Sequence, residues 1–535
     1  MKHLLFIVTL MVAFLGNAQL CKADTSEDPT KQGVITTPPA GEERHYYLDL
    51  LNYDPYDNNW SYLSENHVDM TLVFAANNEV YMRCPLGRYL FPAWIKGTLS
   101  ADGKTLTVKN GQTVYHAPNH DVDYIFVKSD TEGHGGENKG SSDLYDGDIV
   151  FNIDQATGVI TPVTTKECPD VAIVNKMDVG EMFQQGRYVK YTPVETIDKN
   201  VTFYKMSYYD VNALQQKEAS VKVSVEDNGS TVYFKGLYPK YPQAWVKAEN
   251  LKGDGIYWVA INVLDYDKYS DYPYFTLCYD MQPEESKALL SFPIKYNEAD
   301  GTYTFHHDTQ TMAAGFIQSG QNELTTLGIY KNITLTPTTQ SKARPVAPKT
   351  YSYMGADGMV PCYEPGEKTS EFKFTVESKD TDGNPLNEDN LWIRIYTDGK
   401  QYTFTRAEYP TLKVDKDLTD IPFSYGDYSN IMQGSNGKRY IYFKNASAPK
   451  STIGVELVYT VDGEEFVSDR LVYDIATGKD TVVTGISATK GNLQVKAIEY
   501  YDLSGRRMPN AEKGVSIKLT RYADGSVKAM KMVTH

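Results

Sequence analysis

The sequence predicts an all-β protein of several domains, and three observations support this fold class. The chain has 42 tyrosines, a residue enriched in strands, against 19 phenylalanines and 5 tryptophans. Its 39 glycines and 25 prolines suit many tight turns between short strands. A segment of about 140 residues also occurs twice. At 535 residues, the chain has room for three or four domains of ~100–200 residues each.

The repeat is recognised by a tryptophan motif. Residues 92–96 read PAWIK and residues 242–247 read PQAWVK, and a Val-Tyr pair precedes each motif. Alternating segments with Asn-Asn or Asn-Gly turns lie before both motifs, which predicts β-hairpins. Asp-Gly at 102–103 and Asn-Gly at 110–111 predict two more hairpin turns in the first copy.

We therefore predict duplicated β-modules at 40–165 and 185–335. Trp94 and Trp245 would be structural anchors at equivalent, largely buried positions, because tryptophan buries a large area and needs one polar partner. The alternative for this pair is a platform on which a ligand stacks.

A basic, proline-containing linker at 341–349 follows the repeats. Beyond it, alternating segments recur with turns between them, such as Asp398-Gly399. This pattern predicts an immunoglobulin- or fibronectin-like β-sandwich at 350–480. The segment 481–535 has nine Lys and Arg against four Asp and Glu, a charge of +5, so the rest of the chain, out of a total of −16, carries −21. Its short alternating stretches predict a small C-terminal β-domain.

The chain begins like an exported protein. A basic start precedes the apolar run 4–15, and small residues follow, as in a secretory signal peptide within 1–23. Cleavage after Ala18 or after Ala23 fits, and Cys21 adds a lipid anchor as a third interpretation. The apolar run is shorter than the ~20 residues that span a bilayer, so we expect no transmembrane span.

The net charge and the absence of catalytic motifs limit the classes of function that the sequence favours. A net charge of −16 argues against a nucleic-acid partner, because phosphate binding requires a clustered basic surface. Motifs of serine hydrolases, zinc proteases and P-loop enzymes are absent from the sequence. Cys84, Cys168, Cys278 and Cys362 lie far apart and form no CxxC pair, which excludes a zinc ribbon and a thioredoxin-type motif. Export would permit disulfides between them, and buried thiols are the alternative.

Two polar clusters are candidate metal sites. The first comprises His116, His120, Asp121, Asp123 and His134. The second comprises Asp380, Asp382 and Asp389 around Gly383, and its oxygens suit calcium. Solvated turns are the simpler interpretation of both, so we expect no cofactor and keep calcium as an alternative.

Tyrosines also cluster in the run 265–280, which reads DYDKYSDYPYFTLCYD. Aromatic rings flanked by Asp suit stacking on a sugar, and the candidate stacking residues are Tyr266, Tyr269, Tyr272 and Tyr274. The alternative is that these rings pack in strands and loops with their hydroxyls in water.

The C-terminal run AIEYYDLSGRRMPNAEKGVSIKLTRYADGSVKAMK resembles the C-terminal sorting domain of Bacteroidetes secreted proteins. The residues that match that motif are Tyr501, Asp502, Leu503, Gly505, Arg506, Lys513 and Gly514. The repeats are similar to uncharacterised secreted modules of the same bacteria. The resemblance implies delivery outside the cell or to its surface, with a type IX-like secretion machine as a partner of the tail.

Together these observations favour a secreted or surface-exposed, non-catalytic binding or adhesion protein. Its partner would be an extracellular glycan or a surface protein. The alternative is an extracellular hydrolase acting on glycans or peptides with its site in one of the repeats, so the sequence leaves the question of catalysis open.

Overall fold

The structure of the chain is a computed structural model. It describes residues 33–35, 38–54, 59–83, 85–86, 94–117, 121–138, 141–226, 229–266, 273–281, 286–289, 291–305, 310–317, 324–358, 369–405, 407–409, 417–424, 431–434, 436–444, 446–483, 495–501, 507–508, 514–522 and 527–534. The expected signal peptide and Cys21 lie outside these ranges. The described residues are almost all in strands or turns, which confirms the all-β class.

The first module is a closed antiparallel sheet, here called the first barrel (41–193). Its strands are β1 (Gly41–Asp54), β2 (Asn59–Ala75), β3 (Glu79–Arg83), β4 (Trp94–Leu99), β5 (Thr105–Val108), β6 (Gln112–Ala117), β7 (Val122–Ser129), β8 (Ile149–Ile153), β9 (Ile160–Pro162), β10 (Asp170–Asn175) and β11 (Met182–Pro193). Strands β1-β2-β3-β4-β5-β8-β9-β11 form a ring, which closes because β11 also pairs with β1. Strands β10, β7 and β6 extend from β11 as a wing.

The second barrel (201–338) repeats this arrangement. Its strands are β12 (Val201–Asp210), β13 (Gln215–Val225), β14 (Thr231–Lys235), β15 (Trp245–Glu249), β16 (Ile256–Val259), β17 (Val263–Tyr266), β18 (Pro273–Met281), β19 (Ser286–Leu289), β20 (Phe292–Asn297), β21 (Thr302–Phe305), β22 (Gln310–Ile317) and β23 (Leu324–Thr338). The ring β12-β13-β14-β15-β16-β20-β21-β23 closes between β12 and β23, and β22, β18 and β17 form the wing. Strand β19 is an addition that pairs with β18.

The two tryptophans occupy the same register. Trp94 pairs with Arg83, and Trp245 pairs with Lys235, each at the first residue of the fourth strand of its barrel. Trp245 is 2% exposed, whereas Trp94 is half-buried. Neither belongs to the core inside its barrel, which is built from the alternate residues of the same strands.

The boundary between the two barrels differs from the boundary predicted between the two modules. Residues 185–193 fall in the predicted second repeat, but they belong to β11, the strand that closes the first barrel. The predicted Asn110-Gly111 hairpin is wrong, since β5 pairs with β4 and β8 while β6 pairs with β7. Gly111, at φ +84°, instead turns the chain from the ring into the wing.

A two-sheet sandwich follows the barrels. Its strands are β24 (Lys349–Gly358), β25 (Thr369–Thr375), β26 (Leu391–Thr397), β27 (Lys400–Gln401), β28 (Asp420–Pro422), β29 (Ile431–Gln433), β30 (Lys438–Lys444), β31 (Thr452–Val461), β32 (Glu464–Val467), β33 (Arg470–Asp474) and β34 (Lys479–Val483). One sheet has the order β24-β25-β30-β29, and the other has β27-β26-β31-β33-β34. Both contribute to one core, with Phe372 from the first and Ile393 and Leu457 from the second.

A small sheet ends the chain. Its strands are β35 (Val495–Tyr501), β36 (Arg507–Met508), β37 (Gly514–Tyr522) and β38 (Val527–Thr534), in the order β36-β35-β37-β38. The sandwich extends through Val483, so the predicted boundary at 481 lies inside β34.

The first barrel packs against the second through its strand β1. Tyr47 donates a hydrogen bond to Oδ1 of Asn262 over 2.7 Å and lies edge-on to Tyr233, with ring centroids 5.3 Å apart. Trp245 and Ile197, from the short helix α1 (Val194–Asp198), complete this cluster. Trp245 is therefore buried on the outer side of its own sheet, in the contact with the neighbouring barrel.

The described residues include no helix with the length and apolar character needed to cross a membrane.

Candidate ligand-binding surface

The closing seam of each barrel has a bulge. In the first barrel, Leu50 of β1 faces both Tyr188 and Val189 of β11. In the second barrel, Tyr208 of β12 faces both Asn332 and Ile333 of β23. The first bulge residue has a left-handed backbone in both barrels, with φ of +53° at Tyr188 and +52° at Asn332.

Tyr188 is strained at this position, whereas Asn332 is not. A left-handed backbone costs most residues about 1–2 kcal/mol, while asparagine adopts it readily. The Tyr188 side chain is also 76% exposed, so packing offsets little of that cost. Strained backbone positions cluster at functional sites, so Tyr188 is a candidate ligand contact.

A polar network lies beside Tyr188. Arg187 donates from Nε and Nη2 to the two oxygens of Asp170 over 2.8 and 3.0 Å. Gln185 donates to Asp170 Oδ2 over 2.7 Å, and both acceptor and donor are buried. The hydrogen bond to Asp170 raises the pKa of Arg187, which keeps the guanidinium charged next to the exposed ring.

Asp130 organises the loop that follows β7. Its carboxylate accepts from the backbone N–H groups of Glu132 and His134 over 2.9 and 3.0 Å, and from the Tyr145 hydroxyl over 3.3 Å. Burial disfavours the charged form, but these N–H groups outweigh it and lower the pKa of Asp130. Burial and the Asp130 charge raise the pKa of Tyr145 to about 12. The carboxylate thus serves to close a turn.

Cys168 lies near this loop as a buried free thiol. Burial raises its pKa, so it remains protonated and is not an activated nucleophile. Cys278 is buried too, and Cys84 and Cys362 lie outside the described residues.

The first predicted metal cluster is divided in space. His116 Nδ1 lies 2.9 Å from Asp123 Oδ1 across the β6–β7 pair. His134 pairs instead with the carboxylate of its own loop. Asp121 is exposed in the β6–β7 turn at φ +50°, and His120 is outside the described residues. Among the residues that the structure describes, no group of three or more His, Cys, Asp or Glu side chains is placed to hold a metal ion.

In the predicted calcium loop, both carboxylate oxygens of Asp380 accept hydrogen bonds from neighbouring protein groups. Asp380 Oδ1 accepts from the N–H groups of Asp382 and Asn384 over 2.9 and 2.8 Å. Its Oδ2 accepts from Ser341 Oγ and Asn384 Nδ2 over 2.6 and 3.0 Å. Asp389 lies in a separate turn of 3-10 helix (Glu388–Asn390), and its N–H donates to the Asn387 side chain that caps this turn. The Asp380 oxygens are thus already engaged within the turn.

The predicted tyrosine platform lies mostly beyond the described side chains. Tyr274 is half-buried and stacks on Tyr241 at 5.4 Å between ring centroids, with Phe316 edge-on at 5.4 Å. It packs against the core of the second barrel. Tyr266 ends β17, while Tyr269 and Tyr272 lie outside the described residues.

The tail motif is described only in part. Tyr501 ends β35 and donates to Glu499 Oε2 over 3.1 Å, and Gly514 begins β37. The remaining motif residues lie outside the described ranges: Asp502, Leu503, Gly505, Arg506 and Lys513.

Sequence reasoning missed Tyr188, although a signal for it exists. When Thr192-Pro193 is aligned with Thr336-Pro337, Tyr188 occupies the position equivalent to Asn332. Asparagine is common in left-handed turns, so this alignment contrasts a residue that suits the bulge with one that does not.

Comparison with known proteins assigns no family to the chain, so the chain is classified by its fold alone. A scan of the chain against protein-family models and a search of curated proteins each returned no match. The structure defines an all-β protein in which two barrel-like modules of one topology precede a sandwich and a small C-terminal sheet.

Proposed function

We propose that the chain is a secreted or surface-exposed, non-catalytic binding protein that recognises an extracellular glycan through Tyr188. The observation that carries the proposal is the 76% exposed Tyr188 ring on a left-handed backbone. An exposed tyrosine ring can stack against the apolar face of a sugar. The entropic cost of ordering the ring is low, because a tyrosine side chain has only two flexible torsions.

The polar groups beside the ring support a sugar ligand. The Arg187 guanidinium is fixed by two hydrogen bonds to Asp170, so its position relative to Tyr188 is set before a ligand arrives. The net charge of −16 would repel an acidic polysaccharide, so a neutral glycan is the ligand class that fits.

The expected export signal and the sorting-like tail support the location. Both resemblances concern delivery, and a binding surface on the barrels is compatible with a tail that a secretion machine recognises.

The test is an array of neutral glycans probed with the full mature chain and with Tyr188→Asn. We expect the substitution to abolish glycan binding while the free energy of unfolding stays the same or rises. Tyr351→Ala is the matched control, since Tyr351 is also exposed, at 51%, but lies in the sandwich. Equal binding by the wild type and Tyr188→Asn would refute the proposal. Release of reducing ends from a bound glycan would instead favour the hydrolase alternative.

A further inference from the structure

A row of charged side chains crosses the contact between the two barrels. Lys190 of β11 lies two positions after Tyr188, and its side chain points outward because the residues on either side of it belong to the core of the first barrel. The Lys190 Nζ is 3.9 Å from Asp49 Oδ2 on β1. It is also 3.9 Å from Oε1 of Glu226, which follows β13 of the second barrel. The row therefore begins next to Tyr188 and reaches the second barrel.

The row continues along the outer side of the second barrel. The Lys247 Nζ lies 2.9 Å from Asp49 Oδ1 and 2.9 Å from Glu249 Oε1. Glu249 of β15 pairs with Trp258 of β16, and cross-strand partners have Cβ atoms about 4.5–5.5 Å apart on one face of a sheet. An aromatic ring thus stands at each end of the row, Tyr188 on the first barrel and Trp258 on the second.

Solvent reaches both rings and the side chains between them. Trp258 is 44% exposed, although the residues on either side of it are buried in the core of the second barrel. The side chains of Lys190, Glu226 and Glu249 are 31–46% exposed. We call Tyr188, Lys190, Glu226, Glu249 and Trp258 the crossing row.

The shared fold of the barrels does not require the exposed tryptophan. Thr98 and Glu249 each follow the motif tryptophan of their barrel by four residues, and they pair with Thr107 and Trp258, respectively. A threonine is therefore sufficient at this position of the barrel. A ring that stays in water gives up part of the stabilisation that burial supplies, so Trp258 is a candidate ligand contact like Tyr188.

The charges along this path almost cancel. Two lysines, Lys190 and Lys247, lie among three carboxylates, Asp49, Glu226 and Glu249, so their formal sum is −1. Every one of these groups has an opposite charge within the path, so an ionic ligand would meet no uncompensated countercharge. The hydroxyls of a neutral sugar can donate to carboxylates and accept from an ammonium group, so both kinds of group can serve such a ligand.

We propose that the ligand is a linear neutral glycan that lies along the crossing row and stacks on Tyr188 and on Trp258. This inference rests on the glycan binding proposed above, and it adds a second stacking residue and a minimum ligand length. The path between the rings is at most roughly 30 Å, because two residues of a strand advance about 7 Å, paired strands lie about 5 Å apart and packed sheets about 10 Å. A disaccharide can then occupy one ring, whereas a chain of six sugars reaches both.

The test measures the affinity of the full mature chain for the two-unit and six-unit members of the cello-, malto- and manno-oligosaccharide series by titration calorimetry. In the series that binds, we expect the six-unit glycan to bind at least tenfold more tightly, because its second contact forms within the complex. Trp258→Ala should remove this gain. It should keep the two-unit affinity at Tyr188, which shows that the variant is folded.

The matched control is Leu214→Ala, which should change neither affinity. Leu214 is also exposed and belongs to the second barrel, but it lies at the other end of the β12–β13 hairpin from Glu226. Tyr188→Asn should abolish binding of both glycans, as the proposed function requires.

The possible failures of the two proposals are distinguishable. Equal six-unit affinities of the wild type and Trp258→Ala would overturn the spanning chain and leave binding at Tyr188 intact. Six-unit binding that survives Tyr188→Asn but not Trp258→Ala would overturn both proposals, because the glycan would then stack on Trp258 alone. Absence of binding in all three series would overturn the spanning chain, and the array of neutral glycans then decides the proposed function separately.

Discussion

The Tyr47 hydroxyl donates to Asn262 Oδ1 over 2.7 Å, and this bond joins the first barrel to the second. Asn262 uses the same oxygen to accept from the Lys247 N–H, so one amide side chain organises its own barrel and receives the next one. The contact is completely buried.

Tyr47→Phe should lower the free energy of unfolding of the barrels by about 1 kcal/mol, because a buried hydrogen bond is lost while Asn262 keeps its other partners. Urea denaturation measures this change. Lys205→Met is the matched control: Lys205 is the equivalent of Tyr47 in the second barrel, because Tyr46 pairs with Pro193 as Tyr204 pairs with Pro337. Its side chain is 42% exposed, so the substitution should change stability by less than about 0.5 kcal/mol. Equal effects of the two substitutions would contradict the role of Tyr47 in joining the barrels.

The two tryptophans should differ in their contribution to stability. Trp245→Ala removes a ring that is 2% exposed and should cost about 3–5 kcal/mol. Trp94→Ala should cost clearly less, because the half-buried Trp94 has no neighbouring barrel against it among the described residues. Denaturant unfolding of both variants checks the order, and the reverse order would exclude the assignment of Trp245 to the barrel contact.

Exchanging the bulge residues should have opposite effects. Tyr188→Asn should raise the free energy of unfolding by about 1 kcal/mol, since it relieves a left-handed tyrosine. Asn332→Tyr should lower it by a similar amount, because it introduces the same strain in the second barrel. Urea titrations of both variants test this pair. A loss of stability in Tyr188→Asn would show that the exposed ring is held by packing.

Asp398 should make the sandwich sensitive to acid. Partial burial alone would raise the pKa of Asp398, but hydrogen bonds from Ser451, Lys450 and Thr452 outweigh burial and lower this pKa to about 2. A carboxyl with a lowered folded-state pKa stabilises the fold above its unfolded pKa of ~3.9, and this contribution is lost as the pH falls towards 2. Asp398→Asn should therefore flatten the loss of stability between pH 4 and pH 2. Thermal melts of both proteins across this range measure it, and parallel pH curves would refute the assignment.

Removing the tail should leave the other domains folded. Because β34 ends at Val483, the cut belongs after that residue and not at 481. The small sheet from 495 onwards has too little apolar surface for a strongly stable core, so the main melting transition should not change. The site of accumulation should change, if the tail is a delivery signal. A truncated chain that reaches the same location but melts several degrees lower would show instead that the tail is a structural cap.

Local features of the fold were predictable from the sequence. Asp398-Gly399 lies in the turn between β26 and β27, and the alternating segment 514–522 forms β37. Trp94 and Trp245 share a register because strand pairing beside the motif depends on a few neighbouring residues. Turn chemistry and strand alternation act over such short distances.

Features that depend on distant residues were not predictable. The burial of Trp245 depends on Tyr47, nearly two hundred residues earlier, and no local pattern records that contact. The closing strand β11 lies beyond the predicted first module because it pairs with β1 across the whole barrel. The strain at Tyr188 is visible only once the bulge places that residue in a left-handed conformation.

Ring closure also determines the order in which the chain can fold. Leu48 pairs with Tyr191 and Met206 with Leu335, so neither ring can close until the last strand of its barrel is available. Such sequence-distant pairing slows folding, because the entropy of the intervening loop is lost before the contacts form. Tyr47 belongs to β1, the first strand among the described residues, yet it helps to bury Trp245. A chain emerging from a ribosome can therefore complete the first barrel before the second barrel presents Trp245 for Tyr47 to cover.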